Sequence, residues 1–284
     1  MLTDQQFDQT RRLALRVAGI ELFERHRELL CRRCRRTQLQ SPALLDALLN
    51  AAEAGDPIAN RQLVDLVTTN FTGFFRHPWH FDVAAEQALW VAHRRGQARL
   101  WSAAAATGEE PYSLAMALIE VFRRDDPPPA ILATDIDTDA LAVARTGQYG
   151  EQSLRALGPE RRRRFLSETV VGQGGIAPAV RRLVEFRALN LADVTWSIEG
   201  PFDVIFCRNV LMYMEAGCRY AVLERMASLL AAGGLLILDP AEHLANAGHW
   251  FSQGVEGVYL RRKTAAARRN GTWTSTHRDE EDKL

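Results

Sequence analysis

From residue 89 to about residue 238, short apolar runs alternate with amphipathic stretches, and this rhythm narrows the possible folds more than any other feature. The runs at 98–103, 130–134, 183–188, 202–206 and 234–238 are strand-sized, and helical periodicity fills 111–122, 139–145 and 218–230 between them. Strands covered on both faces read as near-continuous apolar runs, so the pattern predicts an α/β fold with a mostly parallel sheet between two layers of helices. In such a sheet ligands bind beyond the carboxyl ends of the strands. The residues that directly follow each run are therefore the candidate site.

The N-terminal part has a different period. Phe7, Leu13, Leu15, Val17 and Ile20, and later Leu44, Leu45, Leu48 and Leu49, recur at helical spacing. Ser41-Pro42 has the form of an N-cap followed by a first-turn proline, and Gly55-Asp56-Pro57 closes that helix. Arginines between Arg11 and Arg36 fall between the apolar positions and are expected on an exposed face. Residues 172–179 are glycine-rich and predict a loop or small insertion. From Thr264 onward apolar periodicity is absent and the chain turns acidic at 279–282, so a disordered tail is expected.

Composition excludes several function classes. Acidic and basic residues balance at 35 each, which leaves no net field for nucleic acid or an anionic membrane. The basic residues are arginine except Lys263 and Lys283. No signal-peptide pattern and no apolar run near the roughly 20 residues of a membrane span occurs, so a cytoplasmic protein without membrane insertion is expected. Four cysteines in 284 residues are too few for a disulfide scaffold. Cys31 and Cys34 form a Cys-x-x-Cys pair, but it lies in a helical stretch, and Cys207 and Cys218 are not at finger spacing. No metal site is expected.

The strand ends form a chemically coherent set. The first run leads into Ala103-Ala104-Ala105-Ala106-Thr107-Gly108-Glu109-Glu110-Pro111. Small side chains let a ligand approach the backbone, and two glutamates repel phosphate and suit a cationic group such as a sulfonium or an amine. Glu110 suits the helix dipole, so Glu109 is the better ligand candidate. After the second run, Asp135 is placed to accept ribose hydroxyls, while Asp137 is placed to cap a helix. Asn190 and Asn209 follow the later runs and either read an adenine edge or complete a turn. Asn70, Thr72 and Arg76, interleaved with Phe71, Phe74 and Phe75, suggest a segment that covers the ligand.

These residues resemble the CheR family of chemotaxis receptor glutamate methyltransferases. The resemblance lies in four blocks, Thr68–Arg76, Ser102–Ser113, Ala133–Tyr149 and Gly200–Tyr213, with weaker likeness around Ala18-Gly19-Ile20 and through 233–242. It spans residues 5 to 262. It implies a helical N-terminal domain (1–66) and a Rossmann-like, S-adenosylmethionine-binding methyltransferase domain (67–263). That domain would carry a β insertion at about 167–187, and a tail (264–284) would follow it. By position, Asn70, Thr72, Arg76, Glu109, Asp135, Asn190, Leu191, Arg208 and Asn209 would contact S-adenosylmethionine (S-adenosylhomocysteine after transfer). Arg76 and Tyr213 would lie nearest the methyl. The implied partner is the cytoplasmic domain of a chemoreceptor, methylated on glutamate carboxylates to give methyl esters. Where the family commonly has Gly-x-Ser-Glu, this chain has Asp239-Pro240-Ala241-Glu242. That departure leaves open another protein acceptor outside chemotaxis, and a non-catalytic cofactor-binding module is the remaining alternative.

Overall fold

The computed structural model describes residues 2–262 apart from 38, 40, 69, 168–172, 243, 245 and 246. The expected tail at 264–284 lies outside the described residues. Four helices open the chain: α1 (Asp4–Ala18), α2 (Arg27–Arg36), α3 (Pro42–Glu53) and α4 (Pro57–Val67). Each start has a local cause. Thr3 and Gln6 form a reciprocal capping box at α1, Ser41 caps α3, and Asp56 caps α4 with Pro57 in its first turn. Phe7, Leu13, Leu30, Leu49 and Leu63 meet in a core of their own. Leu15 and Leu44, at helical spacing in the sequence, are exposed instead.

The rest of the chain runs α5 (Pro78–Arg95), β1 (Arg99–Ser102), α6 (Glu109–Phe122), β2 (Ala130–Asp135), α7 (Thr138–Thr146), β3 (Gln148–Gly150), α8 (Glu151–Leu154), α9 (Gly158–Phe165), β4 (Leu166–Ser167), β5 (Gln173–Ile176) and α10 (Pro178–Arg181). It continues through β6 (Val184–Ala188), β7 (Phe202–Phe206), α11 (Ala216–Leu229), β8 (Leu230–Ile237), β9 (Phe251–Gln253) and β10 (Val258–Arg261). Seven strands form one sheet in the order β6-β2-β1-β7-β8-β10-β9. The first five are parallel, and β10 and β9 add an antiparallel edge. Alternate residues serve opposite faces: Leu100, Val204, Phe206 and Ile237 pack into one core, Trp101, Ile205, Cys207 and Leu236 into the other. Each such large side chain contributes about 1.5–3 kcal/mol by burial. Strand order reverses between β1 and β7, which opens a crevice at their carboxyl ends.

The insertion differs from expectation. A three-stranded antiparallel sheet, β3-β5-β4, begins at Gln148, whereas 184–188 is the edge strand of the main sheet, paired with β2 from Ile131↔Val184 to Asp135↔Ala188. The expected end at 187 is therefore too late, and the start at 167 misses β3. Val184-Glu185-Phe186-Arg187 alternates apolar with charged residues because an edge strand is covered incompletely.

Candidate active site

The loop from β1 to α6 sits unusually close to its neighbours. Gly108 has φ +96°, and a Cβ there would lie 2.8 Å from both Ala144 Cβ and Tyr149 Oη. Tyr149 Oη donates to the Thr107 carbonyl at 2.7 Å, and Tyr112 Oη to the Ala144 carbonyl at 2.9 Å. The block Ala144-Arg145-Thr146-Gly147-Gln148-Tyr149 thus acts as a buttress behind the loop. On the other side the loop lines a cleft with Ala103, Ala104 and Ala106.

Carboxylates line the inner wall. Asp135, buried at the end of β2, accepts the N–H of Asp137 on Oδ1 at 2.9 Å and that of Ala106 on Oδ2 at 2.8 Å. Each oxygen keeps a further lone pair for a hydroxyl donor. Burial pushes this carboxyl up, against those N–H groups. Asp137 caps α7 through the N–H groups of Asp139 and Ala140, and its Oδ2 accepts the Asn70 amide at 2.6 Å. Glu110 accepts Ser102 Oγ at 2.8 Å and faces Arg208 Nη1 at 3.4 Å. Burial raises its pKa, with Arg208 and Ser102 acting the other way.

Asn70, Thr72, Arg76, Asp135, Asn190, Leu191, Arg208, Asn209 and Tyr213 all line this one cleft. Glu109 does not. Its Oε2 accepts from Thr107 Oγ1 at 2.6 Å and its Oε1 from Ser153 at 3.2 Å, on the far side of α6. Successive helical residues point about 100° apart, so one of two adjacent glutamates must turn away. It is Glu110, assigned to the helix dipole on sequence grounds, that lines the cleft.

Asn190 completes a turn. Its amide donates to the Val17 carbonyl at 2.8 Å and to Asp193 at 3.0 Å, and its Oδ1 accepts the Ala192 N–H. Arg208 is buried and donates to the Arg76 carbonyl at 2.7 Å. The Arg76 and Tyr213 side chains are by contrast about 37% and 40% exposed, so they stand at the rim. Arg76 Nη2 lies 3.6 Å from Asp239 Oδ2, and His77 Nε2 lies 3.5 Å from the same oxygen.

Sequence reasoning missed the wall supplied by the N-terminal helical region, namely Ile20, Leu22, His26 and Leu29. Only Ile20 falls in a stretch of weaker family likeness; the other positions read as ordinary helix and loop. Among the described residues no three His, Cys, Asp or Glu side chains are placed to hold a metal ion, and no helix is long and apolar enough to cross a membrane.

Residues 70–258 match the family described as CheR methyltransferase, SAM binding domain. The chain is 39% identical over 264 residues to chemotaxis protein methyltransferase 2 of Pseudomonas aeruginosa, covering 90% of this chain and 93% of that protein. It is 35% identical over 271 residues to the chemotaxis protein methyltransferase of Salmonella typhimurium, covering 93% of each. To the Vibrio parahaemolyticus chemotaxis protein methyltransferase it is 42% identical over 211 residues, covering 71% of this chain and 75% of that one.

Proposed function

This chain belongs to the CheR methyltransferase family, and from that premise we propose that it methylates glutamate side-chain carboxylates on the cytoplasmic domain of chemoreceptors, giving methyl esters. The observation that carries this reading is the polarity of one cleft: buried carboxylates on its inner wall, a guanidinium and a phenol at its rim. The inner wall fits S-adenosylmethionine. Alanine-only side chains leave room beside the backbone, Asp135 retains acceptor capacity for a ribose, and Glu110 offers negative charge to the ammonium or sulfonium. The apolar side chains of Ile20, Leu22 and Leu191 complete the wall. Asn70, Thr72, Arg208, Asn209 and the backbone at Asn190-Leu191 would complete the cofactor contacts.

When bound, S-adenosylmethionine supplies a methyl group activated by its positive sulfur. A glutamate acceptor is already ionised at neutral pH, with a pKa of about 4.3, so the protein needs no general base. Its work is alignment and exclusion of water. Arg76 orients the incoming carboxylate through a charge-assisted bond, and Tyr213 assists from the same rim. Too firm a grip would stabilise the ground state. Asp239, 3.6 Å from Arg76, moderates that grip. Incubation with S-adenosylmethionine and chemoreceptor membranes, followed by mass mapping of receptor peptides, tests the reading. Methyl groups on glutamate side chains support it, and methyl groups only on other residue types overturn it.

A further inference from the structure

One buried carboxylate that does not line the cleft is bonded to the segment that does. Glu242 Oε2 accepts the main-chain N–H groups of Asn209 at 2.9 Å and Asp239 at 3.1 Å, and its Oε1 accepts those of Val210 at 3.1 Å and Met212 at 3.2 Å. Its own N–H donates to the Asp239 carbonyl at 2.8 Å, so the turn 239–242 is closed on itself. Three of the four N–H groups belong to the stretch between Arg208 and Tyr213. That stretch departs from regular structure at once after β7: Asn209 has φ +58°, a left-handed conformation unusual for a residue with a side chain. A 3-10 turn at Leu211–Tyr213 follows. Neighbouring N–H groups that converge in this way need an acceptor with two oxygens and several lone pairs, and an ionised carboxylate is the side chain that supplies it. The same turn aims Asp239 at Arg76 and His77. One short turn after β8 therefore touches both segments that carry the rim residues.

We propose that Glu242 is a positioning residue for methyl transfer: its carboxylate fixes the Asn209–Met212 main chain, which sets Asn209 against the cofactor and Tyr213 at the rim. The inference rests on the function proposed above and deepens it. It adds a residue that touches neither reactant but determines where two contacting residues stand.

The test compares wild type with Glu242→Gln and Glu242→Asp in the full chain. Glutamine retains one oxygen, but its NH2 group faces two main-chain donors. Aspartate retains the charge but is one methylene too short to reach all four. Thermal melting, calorimetric Kd for S-adenosylhomocysteine, and kcat and KM with chemoreceptor membranes are measured for each. Expected is a loss of kcat of about tenfold or more, since small misplacements at a reacting centre are costly. The receptor KM is expected to stay within about threefold, and the Kd to weaken. A folded variant with wild-type kcat and Kd, differing only in melting temperature, overturns the proposal by reducing Glu242 to a stabilising residue. If wild type itself fails to methylate receptors, the proposed function fails. The inference is then decided by Kd alone, which must weaken in both variants.

Discussion

The main-chain N–H of Glu21 donates to the carbonyl of Tyr213 at 2.8 Å, tying the N-terminal helical region to the segment that bears a proposed catalytic side chain. Ile20 forms an antiparallel bridge with Met214, and the Glu215 N–H donates to the Gly19 carbonyl at 3.0 Å. Such close approach requires Gly19, whose φ is +67° and where a Cβ would lie 2.5 Å from Cys218 Sγ. The N-terminal helical region is thus a wall of the cleft as well as a neighbour of it.

Gly19→Ala is expected to lower stability by roughly 1–3 kcal/mol through backbone strain and the clash. Turnover is expected to fall as Tyr213 shifts with its segment. Denaturant unfolding and receptor methylation check this. Wild-type values in both would show that the contact is dispensable.

Arg76→Ala and Asp135→Ala are expected to separate chemistry from cofactor binding. The Arg76 variant should lose most turnover while retaining S-adenosylhomocysteine within a few-fold. The Asp135 variant should lose mainly cofactor affinity. Calorimetry beside initial rates distinguishes them, and near-normal turnover without Arg76 contradicts its role.

Glu110→Gln is expected to weaken cofactor binding by about tenfold or more, the scale of a lost hydrogen bond to a charged group, and Glu109→Gln by less. The pH dependence has a definite sign. Burial raises the Glu110 pKa, so on acidification it takes up its proton above the ordinary carboxylate range and loses its attraction for a cation. Affinity should therefore begin to fall at a higher pH than an exposed glutamate would impose, and the Gln variant should flatten that limb. Because the folded state holds this proton more tightly than the unfolded chain, the same titration does not itself destabilise the fold. Equal pH profiles in both proteins would exclude Glu110 as the group responsible.

Asp239→Asn is expected to strengthen the hold of Arg76 on an anionic acceptor. Burial opposes ionisation of Asp239, but the Ala241 N–H, the Asn209 amide, Arg76 and His77 outweigh it and hold this carboxyl low. Its charge is therefore present at neutral pH. Without it the receptor KM should fall, while kcat should not rise, since tighter ground-state binding does not accelerate transfer. An unchanged or raised KM contradicts this account of the pair.

His80, fully buried in α5, has its pKa pulled down to about 4 by burial and then by Arg208. Its folded pKa lies below the unfolded value of about 6.5, so the unfolded chain binds more protons between these values. Stability is expected to fall as pH drops from 6.5 toward 4, by up to about 1.4 kcal/mol per pH unit from this group. His80→Gln, which can still donate to the Glu256 carbonyl, should reduce that slope. Denaturant midpoints at several pH values measure it, and an unchanged slope contradicts it.

The five parallel strands were legible as apolar runs, most clearly β7, which is buried along its whole length, whereas the short β9 and β10 at the antiparallel edge were not. The capping role of Asp137 was legible too, since a carboxylate immediately before a helical stretch is an N-cap by local geometry. What escaped depended on direction or distance. Glu109 and Glu110 differ only by one helical step. The strand at 148–150 is short and finds its partner 25 residues later. Glu242 stands at the glutamate of the stretch where the family commonly has Gly-x-Ser-Glu, but its role was hidden because its four donors arrive from two separate segments.

The most direct test follows the methyl group itself. The protein is incubated with methyl-labelled S-adenosylmethionine and membranes bearing the host chemoreceptors, and the labelled receptor is then exposed to mild base. Label that enters the receptor and leaves as volatile methanol is the predicted result, because a glutamate methyl ester is base-labile. Label that stays on the receptor through base treatment, or never enters it while the protein binds the cofactor, would contradict carboxyl methylation of chemoreceptors.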